Sequence, residues 1–414
     1  MGRFLFVVPP LRGHVNPTIA VGEELEKRGH EVAWAAHADL VGPLLPHAAR
    51  IIPMGADVPH EVMDSLTTRS EGLRGAAALK FLWEDFLAPL ARSMVPGVNA
   101  AVDTFQPSAV VVDQQAVAGA LVARQRKLRW ATSATTSAEL TNALDGLPKV
   151  AQWVRDQLVA FQIEHGVSQT DASLGDLRFS DQLVIAYTTR ELFGKEGDFP
   201  AHFALVGPAF TSKSRPEQTE FPFESLAADV PKVLVSLGTV TTGAGARFFS
   251  TVVEAFEDAA VQVVLVAPAE LVPRSPANFI IRRFVPQTAL LSHMNAVVCH
   301  AGHNTVCESL AHGLPLVVAP VRDDQPIVAS QVANAGAGIR VRFGRVRPRE
   351  LAAAVDEVLT DPGYRAAARR IQNSFLAAGG AVAAADRLED LIAREDSEHP
   401  GSSGGVTTTP PAKA

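Results

Sequence analysis

The chain has 414 residues, 47% hydrophobic and 20% charged, enough for two ordinary domains with cores of their own. Its net charge is −7 and it carries no dense basic run, which argues against nucleic acid as the main partner but admits an anionic small ligand held at a helix N-terminus. No apolar run approaches the roughly 18 residues of a membrane span, and Cys299 and Cys307 lack C-x-x-C spacing, so they read as buried small hydrophobes of a cytoplasmic protein.

Arg3–Val8 reads as a strand buried on both faces. The run F-L-F-V-V-P-P-L is too short and too broken by proline for a signal core, and no small-residue cleavage site follows it. A loop is expected over Pro9–Val15, then a helix with Asn16 as N-cap and Pro17 at its first position, stopped by Gly29. Glu31–Ala36 completes a β-α-β unit. Further strands are expected at Ala109–Asp113, Leu183–Tyr187 and Ala204–Val206, with helices in Glu61–Asn99, Ala116–Arg126 and Ala138–His165.

Thr211–Asp229 is polar and proline-bearing and reads as a linker. A second alternating series follows, with strands at Val233–Ser236, Gln262–Ala267, Phe279–Arg282, Ala296–His300, Leu316–Ala319 and Gly338–Val341, then helices at Pro348–Thr360 and Ala366–Arg394. The fold class is α/β: two Rossmann-like, doubly wound halves facing a central cleft, at 1–212 and 231–395. A linker at 213–230 joins them and a disordered low-complexity tail covers 396–414. Ligands of such sheets bind beyond the C-terminal strand ends, so the cleft is the expected site.

Several candidate residues fall at those strand ends. In His300-Ala-Gly-His-Asn-Thr305, Gly302 permits a tight turn and Asn304 or Thr305 caps the following helix. Its N–H groups and dipole, with His300 and the Thr305 hydroxyl, suit a diphosphate. Glu308 shares a helix face with Thr305 and either accepts from vicinal ribose hydroxyls or is an ordinary first-turn acid. Asp324-Gln325 suits hexose hydroxyls, or is a solvated turn. Ser236, Gly238 and Thr239 form a second glycine turn, and Phe284 either stacks on a base or is core. In the first half, His14 is placed to take a proton from a hydroxyl, or is a loop histidine with no role. Asp113 either orients that imidazole or caps the next helix.

Phe284, Pro286, Gln287, His300, Gly302, Asn304, Thr305, Glu308, Asp324 and Gln325 resemble the donor box of the family 1 glycosyltransferases, which have the GT-B fold. Phe284 stands where the plant box has tryptophan, Ala301 where it has cysteine and His303 where it has a second tryptophan, as in bacterial antibiotic and macrolide enzymes. The resemblance implies a nucleotide-sugar donor along Phe284, Val285 (through its backbone), Gln287, His300, Gly302, His303, Asn304, Thr305, Glu308, Asp324 and Gln325. It implies that His14 of G-H-V-N-P is a general base partnered by Asp113. UDP-glucose is the expected donor, with a dTDP-sugar as alternative, and no metal or other cofactor is implied; no D-x-D motif is present. One displacement would invert the anomeric centre. Phe81, Trp83, Phe86 and Met94 are candidates to line a pocket for an apolar natural-product acceptor, although each residue type is more often core. An indole-type nitrogen acceptor, a sugar-nucleotide epimerase of the same fold and an inactive binding protein are the competing readings. A Rossmann dehydrogenase is disfavoured because no G-x-G-x-x-G follows the first strand.

Overall fold

The computed structural model describes residues 1–54, 69, 73, 75–141, 147–194, 199–211, 221–238 and 243–394. Thr239 and the tail 396–414 lie outside the described residues, as do 213–220 of the expected linker. Of that linker's remainder, Phe221 and Phe223 pack into the core of the second half.

Two parallel sheets organise the chain. The first has seven strands in the order β3-β2-β1-β4-β5-β6-β7. These are β1 (Arg3–Val7), β2 (Glu31–Ala36), β3 (Ile51–Pro53), β4 (Ala109–Asp113), β5 (Trp130–Ala134), β6 (Val184–Ala186) and β7 (Phe203–Leu205). The second runs β10-β9-β8-β11-β12-β13, from β8 (Lys232–Ser236), β9 (Gln262–Val266), β10 (Phe279–Arg282), β11 (Ala296–Cys299), β12 (Leu316–Val318) and β13 (Gly338–Arg340). Strand order reverses between β1 and β4 in one sheet and between β8 and β11 in the other, and crevices open at such switch points. Both central strands are apolar because helices cover both their faces: Phe4 and Phe6 point into one layer, Leu5 and Val7 into the other. β3 and β5 were not foreseen in the sequence.

Helix α1 spans Arg12–Lys27, so it begins one turn before the expected Asn16 cap and encloses Pro17. Leu11 precedes it without a side-chain cap, and its carbonyl accepts from the His14 and Val15 N–H groups to close the first turn. His14 therefore stands on a helix and not on a loop. The expected helix within Glu61–Asn99 is described from Ala76 onward and contains one wider, π-type turn, Leu82–Leu87, before Ala88–Phe105. The last helix, Gly380–Ala393, crosses back from the second half to the first. Its Ala384, Ala385, Leu388 and Leu391 are buried in the layer that holds Phe4 and Phe6, and Arg28 of α1 pairs with its Asp386 and Glu389. Cys299 and Cys307 are free and buried, and burial pushes the Cys299 thiol up to about 12. Among the described residues, no helix is long and apolar enough to cross a membrane.

Candidate active site

β1 and β4 lie side by side, with Val7 opposite Val112, so the helix after β1 and the acid that ends β4 meet at the first switch point. His14 Nδ1 lies 3.0 and 2.9 Å from the two carboxylate oxygens of Asp113. Asp113 is fully buried and accepts from the Gln115 backbone N–H (2.8 Å) and the Thr135 hydroxyl (2.8 Å). Thr135 Oγ1 is also 2.8 Å from His14 Nδ1. With Nδ1–H donated to the carboxylate, Nε2 keeps its lone pair for a proton from outside, and the acid stabilises the imidazolium that results. Thr135 was missed in the sequence; its only signal is a hydroxyl just past a strand that was itself unrecognised.

The second switch point aligns Cys299 of β11 with Ser236 of β8, so the His300 and Gly238 turns are neighbours. Ser236 is buried, and its Oγ accepts weakly from the Gly238 N–H (3.4 Å). A Cβ on Gly238 would stand 2.7 Å from His300 Cε1, and one on Gly302 would stand 2.5 Å from His300 Nε2. Glycine is therefore required at both positions by the imidazole wedged between them. At 302 this replaces the expected reason: Gly302 is extended (φ −62°), and the left-handed residue of the turn is Ala301 (φ 66°). An alanine held there stores strain, as does Asp323 (φ 55°) in the turn before Asp324.

The helix after this turn, His303–Ala311, starts earlier than expected. Gly302 is its N-cap, and neither Asn304 nor Thr305 caps it. Its first N–H groups have no intrahelical acceptor and can receive an anion. Burial lowers the His300 pKa to about 4, so its imidazole is neutral at pH 7. Its Nδ1 is buried without a partner.

The remaining donor-box residues divide. Phe284 is 56% exposed, free to stack on a flat ring, and Val285 packs beside it on the core. Gln287 donates from Nε2 to Glu308 Oε2 at 2.5 Å, so the buried Glu308 is tied to the Phe284 segment. Gln325 is buried, and its Oε1 accepts from the Val321 and Arg322 N–H groups (2.9 and 3.1 Å). The oxygen thus staples its own turn and leaves Nε2 as the group to offer, not the donor–acceptor expected. His303 is buried where the two halves meet: its Nε2 lies 3.1 Å from the Tyr187 carbonyl and its Nδ1 3.4 Å from Ser137 Oγ, both in the first half. Burial lowers its pKa.

The two halves touch across the crevice. Thr136 Oγ1 donates to Asp324 Oδ2 at 2.6 Å, and Ser137 Oγ donates to Gln331 Oε1 at 2.6 Å. Asn304 Nδ2 donates to the Gly13 carbonyl at 3.0 Å. That carbonyl is available because Pro17, four residues on, has no N–H to return to it. The histidine helix and the anion turn are joined one residue away from His14. Of the expected acceptor residues, Met94 is fully enclosed in the first core and reaches no opening, which corrects that assignment. Phe81 and Phe86 are half-buried, while Trp83 borders a recess together with Leu87 and Gln114.

Two parallel, doubly wound sheets meeting at one crevice define a two-domain Rossmann-like α/β fold. Residues 198–374 match the family described as UDP-glucoronosyl and UDP-glucosyl transferase. The chain is 28% identical to 4'-demethylrebeccamycin synthase of Lentzea aerocolonigenes, over 94% of this chain and 99% of that protein. It is also 28% identical to demethyllactenocin mycarosyltransferase of Streptomyces fradiae, over 95% of this chain and 87% of that protein. Its fold superposes on that of the calicheamicin glycosyltransferase CalG4 with a TM-score of 0.74 at 23% identity, covering 96% of this chain and 99% of that one. Residues 198–374 are thus a UDP-glucoronosyl and UDP-glucosyl transferase domain, and the chain is a glycosyltransferase of the GT-B fold, similar to the family 1 glycosyltransferases.

Proposed function

We propose that this glycosyltransferase moves a hexose, with inversion, from a nucleoside diphosphate sugar to a hydroxyl of an apolar natural-product acceptor, with His14 as the base. The reading is carried by one arrangement: the His14–Asp113 pair faces the glycine turn and helix N-terminus at His300–Thr305, with Asn304 bonded to Gly13 between them. His14 Nε2 takes the hydroxyl proton as the oxygen attacks the anomeric carbon. The bond from that carbon to the diphosphate oxygen breaks, and the electron pair leaves on the diphosphate. Helix N–H groups and His300 would receive that charge, which is the work a metal does elsewhere.

Phe284 would stack on the base, Glu308 would accept from the ribose, and Asp324 with Gln325 Nε2 would meet the hexose. Ser236 and Gly238 would line the phosphate end. The names of the relatives support a natural-product acceptor. UDP-glucose is the proposed donor; the demethyllactenocin mycarosyltransferase relative, by its name, handles a mycarosyl group, so dTDP-deoxysugars form the second donor set to test. The test is transfer from α-linked UDP- and dTDP-sugars to phenolic and macrolide acceptors in the presence of a chelator, with product configuration read by NMR. β-Linked product without metal is expected; α-linked product or a strict magnesium requirement would contradict the mechanism.

A further inference from the structure

Three consecutive hydroxyl residues follow β5: Thr135, Thr136 and Ser137, all buried. Thr135 serves the base pair, since its Oγ1 donates to Asp113 Oδ2 at 2.8 Å. Its neighbour crosses the crevice: Thr136 Oγ1 donates to Asp324 Oδ2 at 2.6 Å. A single peptide unit therefore separates the support of His14 from the support of the acid opposite it. Thr136 keeps little for a ligand of its own. Its one hydrogen goes to Asp324, and a lone pair accepts from the Ala138 N–H at 3.3 Å.

Asp324 stands at the N-cap of helix Gln325–Asn334, where an aspartate ordinarily accepts from N–H groups of the first turn. Its side chain makes no such bond. Capping is forgone, and the carboxylate turns instead to the other half of the molecule. With Oδ2 on Thr136, Oδ1 has no partner among the described residues, and the side chain is only half-buried. It lies close enough to the anion turn for its charge to act on both His300 and His303. A carboxylate fixed by one oxygen presents the other in a set direction, which a freely rotating one does not.

We infer that Thr136 is a positioning residue for the transferred hexose: it aims Asp324 Oδ1 at a sugar hydroxyl and, through Thr135 beside it, fixes that oxygen relative to His14. A bare nucleoside diphosphate makes no use of this contact, whereas a nucleotide-bound hexose does. This rests on the reading of Asp324 as the acid that meets the hexose.

The experiment uses the hexose donor that wild type transfers. Donor KM, kcat, Tm and affinity for the bare nucleoside diphosphate are measured for wild type, Thr136→Val, Thr136→Ser, Asp324→Ala and the Thr136→Val/Asp324→Ala pair. Thr136→Val keeps the shape and deletes the hydroxyl. Its donor KM should rise about tenfold with diphosphate affinity unchanged, the usual size for losing a hydrogen bond to a charged group. Thr136→Ser should restore most of that loss. In the Asp324→Ala background Thr136→Val should add nothing, because the acid it aims is gone. The Tm of Thr136→Val should stay near that of wild type, since the released carboxylate can cap its own helix. A hydroxyl that merely latches the two halves would lower kcat or Tm and leave donor KM in place, and that result would overturn the inference. So would a Thr136→Ser variant as impaired as Thr136→Val, or additive effects of the two substitutions. In each of those cases a raised donor KM in Asp324→Ala would leave the hexose reading of Asp324 intact. Asp324→Ala with donor KM unchanged would overturn that reading and the inference with it.

Discussion

His300 is wedged between Gly238 and Gly302 with its Nδ1 buried, and desolvation holds its folded pKa near 4 against an ordinary 6.5. Above pH 6.5 the ring is neutral in both folded and unfolded chains. Between 6.5 and 4 the unfolded chain binds a proton that the folded one refuses, so stability falls as pH drops through that window. His303, also depressed, acts in the same direction. The Tm of the ligand-free protein should therefore decline from pH 6.5 to 4, and His300→Gln should flatten part of that decline. An unchanged slope would mean that the ring titrates normally. Gln325 supports a second prediction at this scale. Its Oε1 holds the turn before it and its Nε2 is the group proposed to meet the hexose, so Gln325→Glu keeps the staple and deletes the donor. The KM for a glucose donor should rise about tenfold with little change in Tm; a large fall in Tm with KM intact would make the residue purely structural.

Helix α1 illustrates what was legible in the sequence and what was not. Asn16-Pro17 has the local chemistry of a helix start, and position statistics favour that reading. The helix nonetheless begins at Arg12, and the Gly13 carbonyl that Pro17 cannot satisfy bonds to Asn304, 291 residues away in sequence. No local pattern encodes such a partner. If this contact holds the histidine helix against the anion turn, Asn304→Ala should lower kcat/KM several-fold. Pro17→Ala restores a competing N–H for Gly13, so the two substitutions should be non-additive in a double-mutant cycle. Strictly additive effects would show that the contact carries nothing. The central strands were readable because each is a run of branched apolar residues. β5 was not, since W-A-T-S-A buries Thr132 and Ser133 through bonds to the Arg178 carbonyl and to Tyr187, and a buried hydroxyl looks like a loop in sequence.

At the scale of the molecule, the sequence conveyed two doubly wound halves and a cleft, because alternating strands and helices permit few other arrangements. It did not convey that the final helix belongs to the first half, since a run of alanine and leucine fits either core. Leu388 and Leu391 are buried against Phe4 and Phe6, each burial stabilising by about 1.5–3 kcal/mol. Ending the chain after Gly379 should therefore lower the Tm of the first half by well over 5 °C; an unaltered melting curve would contradict that packing. The helix thereby ties the core of the first half to the chain that builds the second. The central claim is that His14, oriented by Asp113 and Thr135, deprotonates the acceptor opposite a diphosphate held at His300–Thr305. The most direct measurement is transfer by His14→Ala alongside UDP binding by calorimetry. Turnover should fall about 10²- to 10⁴-fold with UDP affinity unchanged; turnover near that of wild type would contradict the account.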